Sequence, residues 1–169
     1  MGIARTFQIM KPLKNLTVLD NVIASSYYGT KPAKNAIEAR EKALDILNFT
    51  GLYEKRHDLS KDMGTPDQKR LEMARALATN PEMLFLDENM AGLNPTETDE
   101  AIQLIRRINE SGVTIFLIEH IMKAVVSLCE DVIVLHHGEK IAVGTPEEVM
   151  NDPYVMEVYL GQKKEDAHA

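Results

Sequence analysis

Cysteine is almost missing: Cys129 is the only one in 169 residues. No internal disulfide framework exists, and that usage fits a reducing compartment. No apolar run approaches the roughly 18 residues that cross a bilayer, so no direct membrane insertion is expected. The stretch from Met1 to Gln8 lacks a long apolar segment and does not read as a signal peptide. Gly2 and Thr6 match the spacing of a myristoylation motif, yet Ile3-Ala4-Arg5 reads better as the tail of a strand. Positive charge is in deficit. Lys and Arg number 19 against 26 Asp and Glu, a net of −7. Nothing in that balance invites nucleic acid or an anionic lipid surface. Internal repeats and low-complexity tracts are also absent.

Apolar residues make up 44% and charged residues 27%, an ordinary globular composition. The length suits one domain or two tightly joined lobes, with a core that buries well over half the surface. Residues 1–15 are short and mixed. Leu16, Leu19, Val22, Ile23 and Tyr27 recur at helical spacing, and Thr17 with Asp20 resembles a capping box. A second helix is expected over 35–49, with Ile37, Ala43, Leu44, Ile46 and Leu47 apolar and Gly51 as its stop. Residues 52–66 read as polar and irregular. A third helix spans 67–78, with Pro66 at its start and Leu71, Ala74 and Ala78 on its apolar face. Asn80-Pro81 then breaks the chain.

The rhythm changes after that break. Three short apolar runs, 83–86, 113–118 and 132–135, alternate with helical patterns at 96–110 and 121–129. Such alternation predicts parallel strands joined by crossovers, in a sheet covered on both faces. His136-His137-Gly138-Glu139 reads as a hairpin turn into Lys140–Val143, and helical turns at 146–151 and 153–160 follow. The His pair has no metal-binding companion and reads as a solvated turn. The nine methionines read as core filling, and Cys129 as a small hydrophobe in an apolar helix.

Open α/β sheets place ligands at strand ends. Asp87-Glu88 leaves the first apolar run directly, and His120 leaves the second after Glu119. One carboxylate there can hold a divalent metal, and the other can orient an attacking water. A neutral imidazole can reach the same place. A solvated turn accounts for the two carboxylates about as well on their own.

Together these residues are far more specific. Arg75 through Glu88 resembles the signature helix and Walker B strand of ABC-transporter ATPases. Ala91-Gly92-Leu93-Asn94-Pro95 is similar to the D-loop of the branch that energises branched-chain amino acid uptake. Ile118-Glu119-His120 resembles the switch histidine, and Ala4-Arg5-Thr6-Phe7-Gln8 the Q-loop. Leu135 to Val149 and Tyr159-Leu160-Gly161 resemble that branch's C-terminal motifs. The resemblance implies a partial ABC ATPase fold, P-loop NTPase-like and α/β. A helical lobe precedes a mostly parallel sheet with flanking helices. It divides the chain into a Q-loop segment at 1–15, a helical lobe at 16–80, an α/β part at 81–161 and a flexible tail at 162–169. It implies that Asp87 and Gln8 serve Mg²⁺, that Glu88 and His120 are catalytic, and that Gly64, Asn94 and Gln8 serve ATP or the dimer contact. The implied partners are an ABC permease transmembrane subunit and a second ATPase subunit or self-dimer. The implied location is cytoplasmic, on the inner face of the membrane.

The departures matter as much. No glycine of this sequence is followed by Lys, so no G-x-x-x-x-G-K-[ST] phosphate loop is present. The phosphate-loop strand and helix are expected to be missing. Aligned on Gln68-Lys69-Arg70, the signature Leu-Ser-x-Gly-Gln reads Met63-Gly64-Thr65-Pro66-Asp67. Its serine is replaced by Gly64, and its glycine by Pro66, which has no N–H to offer. Asn89 stands where proline is usual. Two readings follow. One is a truncated or split ATP-binding subunit of a branched-chain amino acid importer, active only with a phosphate loop from another chain. The other is a non-catalytic module that docks on a permease or a complete ATPase subunit. Loss of the loop-bearing strand is expected to expose sheet edges and apolar surface around Leu84, Leu86, Ile115 and Leu117, and so to bring self-association, a partner chain or marginal stability.

Overall fold

The structure, a computed structural model, describes residues 2–6 and 12–165. Gln8 lies outside the described residues. The chain forms two compact units, Met1–His120 and Ile121–Ala169.

The first unit begins with β1 (Ile3–Arg5). Helices α1 (Val18–Ser26), α2 (Ala36–Thr50) and α3 (Thr65–Ala78) follow and pack on one another. Each helix starts and stops where local chemistry dictates. Thr17 accepts the Asp20 N–H at 3.0 Å, satisfying one of the amides left open at the start of α1. Asn35 does the same for Glu38 in α2, and Gly51 closes α2 in the left-handed conformation. Pro66 sits in the first turn of α3, where a missing N–H costs nothing. The three helices bury Val18, Val22, Ala43, Leu47, Leu71 and Ala74 in one core. Asn21 is fully buried within it. Its side chain accepts from the Leu13 N–H at 2.8 Å and donates to the Leu13 and Thr17 carbonyls, folding 13–17 around itself.

Segment 52–64 is less irregular than its composition suggests. It forms two 3₁₀ turns, Tyr53–Lys55 and Ser60–Asp62. Leu52 and Ser60 are fully buried, and Ser60 Oγ donates to the Leu13 carbonyl at 3.0 Å. Two expected core residues turn outward instead. Ile37 is 72% exposed, because the burying face of α2 is set by its neighbours, and Leu16, 38% exposed, lies before α1 begins.

β2 (Met83–Asp87), α4 (Pro95–Glu110) and β3 (Thr114–Ile118) complete the unit. β1, β2 and β3 form one parallel sheet with β2 in the centre. Ala4, Leu84 and Ile115 share one register row, and Arg5, Phe85 and Phe116 the next. Strand side chains alternate between faces, so these rows sort the sheet into two sides. Leu84 and Leu86 are completely buried, and α4 packs against β3 with Ile102, Ile105 and Ile108 inside.

The expectation of a sheet covered on both faces is therefore corrected. On the opposite side Ile3, Phe116 and Ile118 are about half exposed, at 54%, 47% and 47%. The apolar surface expected around Leu84, Leu86, Ile115 and Leu117 lies on the covered face. The exposed surface belongs to the alternate residues, which the period of two puts on the other side.

The second unit contains α5 (Met122–Leu128), β4 (Val132–His136), β5 (Glu139–Gly144), α6 (Pro146–Met150) and α7 (Pro153–Glu165). Run 132–135 was expected as a third parallel strand. Among the described residues β4 instead pairs antiparallel with β5 alone. The cause is the two-residue turn at His137-Gly138, both with positive φ, which folds β5 straight back. Cys129 does not lie inside a helix but ends α5, half-buried. That burial pushes its thiol up from the ordinary cysteine range.

Candidate functional site

β2 and β3 are parallel and adjacent, so their C-terminal ends emerge together. Asp87 pairs in register with Ile118. Glu88 follows at once, and its N–H donates to the Ile118 carbonyl at 2.9 Å. This bond carries the strand contact one residue further. It brings Glu88 beside the Ile118-Glu119-His120 segment. His120 Nδ1 lies 4.0 Å from Glu88 Oε1, with the two side chains 64% and 32% exposed. That separation is long for a direct hydrogen bond and suits a water bonded to both groups.

Glu88 has φ of 45°, inside the left-handed region. A non-glycine residue there carries about 1 kcal/mol or more of strain, so its surroundings must hold it. Three partners do so directly. The Glu88 N–H is fixed to Ile118, and the Glu88 carbonyl accepts from the Ala91 N–H at 3.2 Å and from Lys69 Nζ of α3 at 3.4 Å. Lys69 is only 6% exposed. Burial holds its ammonium below the ordinary lysine range, while the carboxylates of Glu119, Glu72 and Glu88 pull the other way. Glu119 Oε1 accepts the Met90 N–H at 2.9 Å and so anchors the loop after Glu88. Glu119 Oε2 and Asn89 Oδ1 are buried without a hydrogen-bond donor among the described residues.

Asp87 is bound on its other side. Arg5 Nη2 of β1 donates to Asp87 Oδ2 at 2.8 Å, with side chains 55% and 22% exposed. Asp87, Glu88 and His120 are thus gathered at one end of the sheet. No described group of three or more His, Cys, Asp and Glu could hold a metal unaided.

Gly64 and Asn94 lie on other elements. Asn94 caps α4. Its side chain accepts the Glu97 N–H at 3.0 Å, and Glu97 returns the bond to the Asn94 N–H at 2.8 Å. Gly64 precedes α3 in an extended conformation and supplies no side-chain cap. At that helix start Pro66 has no N–H, and Asp67 is ion-paired with Lys55 Nζ. Asp58 and Asp62 line the same shallow cleft. The helix end that would attract an anion is therefore covered by acids.

Three participants escaped the sequence reading: Arg5, Lys69 and Glu119. Arg5 had a usable signal, since it ends a strand beside the one that delivers Asp87. Lys69 had none, because a helical lysine reads as solvated.

The chain is similar to known proteins over nearly its whole length. A family model described as ABC transporter matches residues 1–91, and one described as branched-chain amino acid ATP-binding cassette transporter matches 139–165. The high-affinity branched-chain amino acid transport ATP-binding protein LivG of Salmonella typhimurium is 38% identical, over 96% of this chain and 69% of its own length. The Escherichia coli protein of that name is 37% identical over the same shares. A crystal structure of an ATP-binding cassette of an ABC transporter in its ADP conformation superposes with TM-score 0.80 at 31% identity. It covers 95% of this chain and 68% of the other.

Proposed function

The chain belongs to the ATP-binding family of ABC transporters, in its branched-chain amino acid branch, and we propose that it serves as an ATP-binding subunit of a branched-chain amino acid importer. The observation that carries this reading is the meeting of Asp87, Glu88 and His120 at the joined ends of β2 and β3, with Glu88 and His120 4.0 Å apart. In this role it works at the cytoplasmic face of the membrane, beside a permease and a second ATPase subunit or a second copy of itself. Among the described residues no helix is long and apolar enough to cross a membrane.

The residues present fit Mg²⁺. That ion takes one or two carboxylates and completes its shell with water and phosphate oxygens. Asp87 offers such a carboxylate at the sheet end, already meeting a cation in Arg5. When bound, Mg²⁺ supplies charge neutralisation for phosphate oxygens. Glu88 and His120 hold a water between them, and the Glu88 carboxylate orients it and accepts its proton. The residues do not fit the triphosphate's anchor. No phosphate-loop motif occurs in the 169 residues, so that cradle comes from sequence beyond them, on this polypeptide or another.

A second reading, a non-catalytic docking module, draws support from the start of α3. There Pro66 offers no N–H, and Asp67, Asp58 and Asp62 oppose phosphate. One experiment separates the two. The chain is mixed with a phosphate-loop-bearing ABC subunit of a branched-chain amino acid importer, and ATP hydrolysis is followed. Hydrolysis above that of the subunit alone, lost with Glu88→Gln, supports the first reading. A complex whose hydrolysis ignores Glu88→Gln supports the second.

A further inference from the structure

Lys69 is a lysine where a helix surface residue would be expected, yet it is 6% exposed. Its ammonium crosses from α3 to the backbone of the residue in the most strained position of the site. Glu88 needs an external restraint to keep φ at 45°, and its carbonyl has a charged donor in Lys69. Around that donor lie Glu119, Glu72 and Glu88 itself. Glu119 in turn holds the Met90 N–H. One buried cation therefore balances the carboxylates that converge behind the two strand ends. Burying this ammonium costs desolvation, which the neighbouring carboxylates and the Glu88 carbonyl offset.

We propose that Lys69 is a positioning residue, whose ammonium holds the left-handed backbone of Glu88 and so keeps the Glu88 carboxylate beside His120. It touches no reacting atom. The geometry stands on its own, and its relevance to hydrolysis rests on the function proposed above. The surrounding groups suit a basic side chain at 69. A neutral side chain would leave the Glu88 carbonyl only the Ala91 N–H, 3.2 Å away, and would remove a positive charge from among Glu119, Glu72 and Glu88.

The test needs no nucleotide, so its failure is distinguishable from failure of the functional reading. The 169-residue chain is studied by NMR and hydrogen exchange, as wild type, Lys69→Met and Lys69→Arg. In Lys69→Met the amides of Glu88 to Ala91 exchange at least about tenfold faster, the size expected for one lost hydrogen bond to a charged group. The ring resonances of His120 move as well, while α1 and α2 signals stay. Lys69→Arg restores both. Wild-type exchange and an unmoved His120 ring in a folded Lys69→Met chain overturn the proposal. A wild-type measurement covers the case in which Lys69→Met does not fold. The Lys69 ammonium protons should exchange slowly and show contact with Glu88. Ammonium protons averaged with solvent overturn the proposal equally.

Discussion

The guanidinium of Arg5 sits 2.8 Å from the carboxylate of Asp87, joining the ends of two neighbouring parallel strands. A cation thus already occupies the carboxylate expected to serve a metal. Both side chains reach solvent, so the pair contributes at most about 1 kcal/mol to stability. Arg5→Ala should melt close to wild type yet bind Mn²⁺, used as a Mg²⁺ probe, more tightly, since the ion no longer competes with the guanidinium. Equal Mn²⁺ affinity in the two proteins would show that Arg5 does not guard Asp87.

Asn94 has a structural task besides any signalling one. Its side chain and that of Glu97 close a capping box on α4. Asn94→Ala should cost about 1 kcal/mol in urea unfolding. A loss below a few tenths would mean that the cap is idle in solution.

The open face of the parallel sheet invites association. Ile3, Phe116 and Ile118 lie on it, with the rings of Phe85 and Phe116 4.8 Å apart. Phe116→Ser should shift sedimentation toward monomer with little change in stability, because its side chain is already half exposed. Leu84→Ala, on the covered face, should do the reverse: no change in association and a loss of about 2–5 kcal/mol. If Phe116→Ser leaves the sedimentation profile unchanged, that face is not what self-associates.

In the second unit the Thr145 N–H and hydroxyl donate to Glu148 Oε2 at 2.8 and 3.0 Å. These bonds hold the Glu148 carboxyl below its ordinary value of 4.5. The folded value lies below the unfolded one, so this stabilisation is complete above about pH 4.5 and is lost as pH falls through the folded value. Stability measured against pH should fall less steeply on the acid side in Glu148→Gln. Identical acid slopes would remove Glu148 from the account.

Much of this arrangement is legible in the residues because punctuation is local. Thr17, Gly51, Pro66 and Asn80-Pro81 mark helix ends through their own backbone preferences, and the structure uses each of them there. The apolar runs after Pro81 identify β2, β3 and β4 for the same reason. What stays illegible depends on neighbours distant in sequence. Ile37 looks like core and is exposed, and Lys69 looks solvated and is buried, because the packing partners decide. The hairpin from 132–135 into 140–143 is legible in the turn at His136 to Glu139, whereas the lack of a parallel neighbour for β4 among the described residues is not. At the site, Asp87, Glu88 and His120 were readable from strand ends and resemblance. Their supports, Arg5 and Lys69, lie 82 and 19 residues away from the groups they contact. Gln8 is outside the described residues.

Titration of the folded 169-residue chain with Mg·ATP tests the central claim most directly. In the proposed function these residues supply the carboxylate and histidine end of an ABC ATPase site, and no phosphate-loop motif occurs among them. The account predicts no saturable binding at millimolar ATP by the wild type or Asp87→Asn. Tight, saturable binding that weakens in Asp87→Asn would contradict it, and would mean that these residues anchor a triphosphate without a phosphate loop.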